Sequence, residues 1–363
     1  MSGKRIIAIV LIYLLACAGW VVLGGTTLVR SEMFLDRLYR DVRKLWGVPL
    51  VQKAPMFTLD DGSKTPPVVI PSATKISTDV KLDYRRKGLI WYPTFVCRMD
   101  GRWTLTNDTD EPMTLKGWFE FPNPEGTYDN FVLTLDDQPL DVPVNPSQPL
   151  ELTIDVPAGA SRVLAIGYGT FGIESWRYVV NREVGRVKDL SLTVTTDFHE
   201  YDFPDGSMSP TDKKPIDGGA MLTWEASDLL TTQDMGVVVP DKLNPGPLAA
   251  RITFFAPVCL VFFFVLVAAV NVVCRIGIHP MHYLFVSAGF FAFHLLFVYM
   301  VDHVDVHVAF AVAAAVSVVM VTLYLRAALG TVFPWKVAGA GQVFYLVLFS
   351  YSFFLQGMAG LTV

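Results

Sequence analysis

Charge is spread so unevenly along these 363 residues that one end of the chain is barred from an ordinary water-soluble fold. From residue 252 to residue 363 only five side chains are charged: Arg275, Asp302, Asp305, Arg326 and Lys336. Residues 26–251 hold 24 Lys and Arg against 32 Asp and Glu, a balance of −8, together with 20 of the 23 prolines. The two compositions imply a membrane-embedded end and an acidic, water-facing middle. Such a middle is a poor nucleic-acid binder, and neither a low-complexity run nor an internal repeat organises it.

Lys4 and Arg5 precede an apolar stretch over residues 6–25, about 20 residues and so long enough to cross hydrocarbon at roughly 1.5 Å each. Its length and the missing Ala-x-Ala site favour an uncleaved anchor over a signal peptide. Over residues 30–46, Phe34, Leu35, Leu38, Val42, Leu45 and Trp46 recur at three- and four-residue intervals between Arg30, Arg37, Arg40, Arg43 and Lys44. This predicts an amphipathic juxtamembrane helix, packed on the following domain or lying on anionic headgroups. Residues 243–247 read as a stiff Pro-rich linker, and apolar stretches at 252–274, 281–301, 304–325 and 337–358 give four more crossings. Pro257 and Pro280 are expected near helix starts, where a missing N–H costs least.

Between residues 51 and 240 the periodicity shortens. Strand-like runs lie at 75–82, 95–99, 102–106, 115–121, 131–135, 150–156, 163–168, 177–180, 190–195 and 221–224. Turn chemistry at Asp100-Gly101, 107–112, 123–126, 136–139, 157–159 and 204–206 separates them. Many short strands with Pro/Gly-rich turns indicate an antiparallel β-sandwich. Of the four cysteines only Cys97 lies here, so no disulfide staples the domain; it shares a face with Phe95 and Met99 as a buried thiol.

The expected architecture is therefore a membrane α-helical bundle of one N-terminal and four C-terminal transmembrane helices plus an extracytoplasmic antiparallel β-sandwich. Its parts are an anchor at 1–29, the juxtamembrane helix at 30–50, the sandwich at 51–242 and the four-helix region at 243–363. Loop charge sets orientation. With alternating crossings, Lys4, Arg5, Arg275 and the 326–336 loop share one side, while the 302–307 loop opposite has no Lys or Arg. This puts the N-terminus in the cytoplasm and the sandwich outside, although Arg30 to Lys44 would then be translocated within a long segment.

Several blocks resemble, in order, the CreD-like inner-membrane proteins of the Gram-negative cell envelope. Trp46-Gly47-x-Pro49 resembles that family's Trp-Gly signature. Residues 83–95, Asp-Tyr-Arg-Arg-Lys-Gly-Leu-Ile-Trp-Tyr-Pro-Thr-Phe, are similar to its Arg-Arg-Gly-Ile-Tyr-x-Val-Pro-Val-Tyr block, with Lys87 breaking the pattern. Ile278-His279-Pro280-Met281-His282-Tyr283-Leu284, Asp302-His303, and Leu323-Tyr324-Leu325 with Leu329-Gly330 resemble later family blocks. The family pattern continues through one further hydrophobic helix, on which the side of the C-terminus depends. The resemblance implies a bacterial inner-membrane protein with a periplasmic domain, linked to envelope integrity and stress, and carries no catalytic residues with it.

Polar residues inside hydrocarbon are the first candidates for function. His294 lies past the midplane of its span, and Asn271, Gln342, Ser350, Ser352 and Gln356 lie within or near apolar spans. Interhelical hydrogen bonding is the plainer account of all six, and no acid within the bilayer stands ready to partner His294 in a proton relay. Asp302, His303, Asp305 and His307 form the densest set of potential ligands. On a helix His303 and His307 would share a face at a zinc-compatible spacing, but a short outer turn explains the same residues, and no Glu or third ligand accompanies them. His279 and His282 bracket Pro280, where a neutral capping role fits. Arg85, Arg86 and Lys87 form a basic cluster that pairs with the domain's acids or meets headgroups. Hydrolase elbows, phosphate loops, His-Glu-x-x-His and Cys-x-x-Cys are missing; glycines 167, 169 and 172 sit between strand-like runs with no following helix, unlike a dinucleotide site.

The sequence thus predicts a non-enzymatic envelope component without a cofactor, whose partners are membrane lipids and an envelope or membrane protein or a second copy of itself. A transporter or lipid-handling protein built around His294 is the first alternative, and a metal-dependent membrane hydrolase at 302–307 the second. Purified protein is expected to contain no stoichiometric transition metal; one equivalent of zinc lost on His303→Ala would overturn this.

Overall fold

The structure, a computed structural model, describes residues 3–87, 90–182, 184–242, 244–330 and 335–355, and the backbone alone at residues 32, 34–41, 44, 87 and 335. The chain divides into two compact units, one of residues 1–38 with 243–363 and one of residues 39–242.

In the helical unit five helices are long and apolar enough to span a membrane. The first, α1 (Gly3–Trp46), is a single 44-residue helix, where the sequence suggested an anchor and a separate amphipathic segment. It runs through Gly24-Gly25 because breaking a helix in hydrocarbon would strand backbone N–H and C=O groups, a larger cost than the roughly 1 kcal/mol of a helical glycine. The amphipathic face expected at Phe34, Leu35 and Leu38 lies outside the described side chains. The others are α2 (Pro245–Cys274), α3 (Pro280–Met300), α4 (Val306–Leu329) and α5 (Trp335–Gln342), the last continuing as a π-helical turn over Val343–Leu348. Residues 245–247 open α2 rather than form a linker, so Pro257 is interior to its helix while Pro280 does start one. Pro245 suits the first helical position because its fixed φ is already helical. The Tyr13 hydroxyl of α1 donates to the Pro257 carbonyl at 3.2 Å. The expected end of the last span, with Gln356 and Met358, lies outside the described residues.

The other unit is a sandwich. Its large sheet has eight strands, in the order Gln138–Pro139, Asp129–Leu135, Ser161–Ile173, Thr94–Thr106, Ala73–Leu82, Arg186–Thr196, Gly219–Leu230 and Asp212–Ile216. Every neighbour is antiparallel except Ala73–Leu82 with Arg186–Thr196. Four antiparallel strands, Leu150–Val156, Met113–Phe119, Met56–Leu59 and Val68–Val69, form the second sheet. The alternation that predicted the strands is the alternation of burial, complete over Leu150–Val156. Inner residues of both sheets share one core, with the Trp103 ring edge-on to Phe119 at 6.3 Å. Cys97 is buried between Phe95 and Met99 as expected, and burial pushes its thiol far up, so it stays protonated. A three-stranded sheet of Leu50–Lys53, Ser175–Val179 and Met235–Val238 and a hairpin of Arg85–Lys87 with Ile90–Tyr92 complete the unit.

Two glycine signals were misread as breaks. Asp100-Gly101 is no turn: Thr94–Thr106 is one 13-residue strand. Gly101 lies under the Trp103 indole, and a Cβ there would meet the ring at 2.3 Å and Met99 at 2.9 Å. Likewise Gly167, Gly169 and Gly172 fall inside one strand, Ser161–Ile173, where side chains of flanking strands fill the space a Cβ would need. Gly101→Ala is expected to lower the stability of the sheet domain by about 1–3 kcal/mol through overpacking, read as an earlier urea midpoint in near-ultraviolet dichroism.

Candidate functional site

Several polar residues of the helical unit are consumed by its own construction, while the buried Gln342 Oε1 and His294 Nε2 have no partner. Ser317 of α4 donates to the Gly289 carbonyl of α3 at 2.7 Å and accepts from Gln342 Nε2 at 2.9 Å, tying three helices in a chain of buried bonds. Gly289 permits this approach, since a Cβ would lie 2.2 Å from Val321 of α4. Asn271 accepts from the backbone N–H of Gly277 and Ile278 at 2.9 and 3.1 Å, bracing the turn after α2. His279 caps α3, its Nδ1 accepting from the Met281 N–H at 3.2 Å, and His282 Nδ1 pairs with the Tyr324 hydroxyl at 2.8 Å. Ser352 donates to the Phe349 carbonyl at 2.7 Å, within its own turn.

The set from Asp302 to His307 does not converge. Helix α4 begins at Val306, so His303, whose N–H donates to Met300 in the preceding turn, does not share a helical face with His307. Asp302 is ion-paired with Arg30 of α1, Asp305 caps α4 by accepting from the His307 N–H at 2.9 Å, and the His307 ring packs 5.0 Å from Phe354. No group of three or more His, Cys, Asp or Glu side chains with metal-ligating geometry occurs among the described residues. His294 is fully buried, with the Trp20 ring of α1 edge-on at 5.7 Å; Nδ1 bonds the Phe290 carbonyl at 2.9 Å, while Nε2 is without a partner.

The sheet unit offers a different kind of site. A cavity of about 310 Å³ is walled by four sets of residues: Arg43 and Leu45 to Val48 where α1 ends, Asp83 and Arg85 with Thr94 and Phe95, the turn at 123–127, and Thr170-Phe171. Gly47 makes the exit from α1 possible. Its φ of +105° suits glycine, its N–H closes the helix on the Arg43 carbonyl at 3.3 Å, and a Cβ would meet the Phe171 carbonyl oxygen at 2.7 Å. Ile173 N–H then bonds the Val48 carbonyl at 3.3 Å. On the second wall, Asp83 pairs with Thr94 through its N–H (2.9 Å) and takes the Arg85 Nε at 2.9 Å on its carboxylate. On the third, Asn123 folds its own turn by accepting from Glu125 and Gly126 N–H groups at 3.2 and 3.0 Å. Tyr128 buttresses that turn, donating to the Asn123 carbonyl at 2.9 Å; burial pushes its phenol up to about 12, so it remains a neutral hydroxyl.

Trp46-Gly47 and the 83–95 block carry the family resemblance in the sequence, and the structure brings Trp46 and Gly47 together with Asp83, Arg85, Thr94 and Phe95 of that block at this one cavity. Sequence reasoning did not single out Arg43, Asn123, Glu125 or Thr170 as site residues. The turn signal at 123–126 and the glycine spacing at 167–172 were visible, but neither says which cavity they border.

Fold and site together define a multi-pass membrane protein carrying a β-sandwich with a polar cavity. Residues 219–357 match the family model described as inner membrane protein CreD, the family to which the sequence blocks pointed. That match takes in the blocks at 278–284, 302–303 and 323–330, whereas those at 46–49 and 83–95 precede it. No curated protein matches the chain significantly. Among solved structures, a "putative nutrient binding protein" of Legionella pneumophila is similar at 11% identity over 66% of this chain and 83% of that one, with a TM-score of 0.33.

The buried Ser317 bond generates a test. Ser317→Ala leaves the Gln342 amide without its partner and is expected to destabilise the helical unit by about 0.6–2 kcal/mol in bicelles. Ser317→Ala with Gln342→Leu should recover most of that loss, because the stranded amide is then removed as well.

Proposed function

We propose that this chain is a non-enzymatic inner-membrane protein of the bacterial envelope, in which the helices anchor and the sandwich recognises a protein or lipid partner in envelope integrity or stress response. The sandwich is periplasmic and the N-terminus cytoplasmic in this reading, following the loop charges. One observation carries it: the sheet unit holds a polar cavity of about 310 Å³, whereas Ser317, Gln342 Nε2 and Asn271 of the helical unit are spent on holding helices and turns together. A cavity lined by both charge signs, hydroxyls and aromatic rings suits binding, and no nucleophile–base pair borders it.

A transport reading draws on the unpartnered Nε2 of buried His294. The two are separable. Crosslinking in mild detergent, with identification of what co-purifies, is expected to capture a partner from wild type and from His294→Ala. It should fail for Thr127→Trp, which fills the cavity from an exposed position. Loss of function in His294→Ala with capture intact in Thr127→Trp would favour transport instead. Protease added to intact spheroplasts should trim the sheet domain; cleavage only in inverted vesicles would reverse the topology.

A further inference from the structure

The cavity of the sheet unit holds charges of both signs around an apolar floor, and their arrangement points to a ligand class. Arg85 is held by one edge. Its Nε and Nη2 both donate to a single oxygen of Asp83. A guanidinium steered by a neighbouring carboxylate at the wall of a cavity is suited to binding oxyanions with defined geometry. A second guanidinium, Arg43, lines the same cavity from the last turn of α1. Two guanidinium groups brought from separate segments suit a tetrahedral phosphate, whose oxygens point in several directions. A carboxylate presents two coplanar oxygens, which one fork already satisfies. Glu125 stands on the turn that forms another wall, where its carboxylate repels a bare phosphate and attracts an ammonium. Trp46, Phe95 and Phe171 supply apolar surface beside these charges.

We propose that this cavity binds an ammonium–phosphate zwitterion of the phosphoethanolamine type, its phosphate on Arg85 and Arg43 and its ammonium on Glu125. The assignment rests on the reading of the sandwich as a recognition domain and names what it recognises. Two sources present this chemistry, the headgroup of a phospholipid and a soluble glycerophosphodiester, and both would use the same residues.

Calorimetric titration of the full chain in phospholipid-free maltoside micelles decides the matter. Glycerophosphoethanolamine is expected to bind, with affinity about 10- to 100-fold weaker in Arg85→Ala, the loss typical of a charge-assisted hydrogen-bonding partner. Arg85→Lys should recover only part, since a point charge cannot reproduce the fork. Glu125→Gln should remove the preference for glycerophosphoethanolamine over glycerol 3-phosphate while sparing the latter. An unchanged near-ultraviolet spectrum for each variant shows that the sandwich remains folded. Dihexanoyl phosphatidylethanolamine distinguishes the sources: tighter binding than the soluble diester assigns a lipid headgroup, equal binding a soluble one, and both support the assignment. Absence of binding, binding indifferent to Arg85 and Glu125, or equal binding of glycerol 3-phosphate by wild type would each overturn it. If glycerophosphoethanolamine does not bind but Thr127→Trp still abolishes partner capture, this ligand is wrong and recognition stands; if neither holds, both fall.

Discussion

Hydrocarbon offers no partner to a backbone N–H or C=O, and that single constraint shapes most of the chain. It explains why α1 continues through two consecutive glycines and why α2 carries Pro257 in its interior without ending there. It also explains where the few intramembrane polar side chains go. Ser317 links the Gly289 carbonyl and Gln342 Nε2 across three helices, and Ser287 and Thr253 return their hydroxyls to carbonyls one turn back. Small residues matter as much as polar ones here, because only a glycine at 289 lets α4 come close enough for Ser317 to reach.

In water the same chain faces a different problem, since backbone groups can be solvated and the core must be built from side chains. The sandwich does this with rings. Trp103, Trp176, Trp224, Tyr168 and Tyr178 are buried, and glycines stand where the rings of Trp103 (Gly101), Phe95 (Gly172) and Phe57 (Gly117) press on backbone. Gln52, fully buried, accepts from the Tyr168 hydroxyl at 2.6 Å and donates to the Glu120 carbonyl at 3.1 Å, so a polar group deep in the core is bonded at both ends. The cavity arises at the margin of this packing, where α1 ends, Asp83 and Arg85 lie beside Thr94 and Phe95, and the 123–127 turn closes.

Local pattern exposed the strands well where burial alternates, as over residues 150–156 and 75–82, and poorly where strands are short. Leu50–Lys53 and Met56–Leu59 went unnoticed because four residues carry too little periodicity. Glycine misled twice for a physical reason. A residue that permits a turn also permits close packing, and only the neighbours across the sheet tell the two apart. Of the two readings open for His303 and His307, a shared helical face or a short outer turn, the structure has the turn, since the helix starts three residues after His303 with Asp305 as its cap. Local pattern could mark a helix face at Arg43 and a turn at Glu125 but not bring them and Thr170 together, since what makes them neighbours is sheet topology.

By itself the sequence determined the solvent of each segment: which lengths are too apolar for water, how many can cross, and that the polar middle folds as strands, because transfer free energy and side-chain periodicity are local properties. Only the tertiary structure decided which of two plausible roles each polar or small residue takes. Whether a glycine turns or packs, whether a histidine caps or ligates, and which four distant segments wall a cavity all depend on partners separated by tens to hundreds of residues, and no local pattern encodes them.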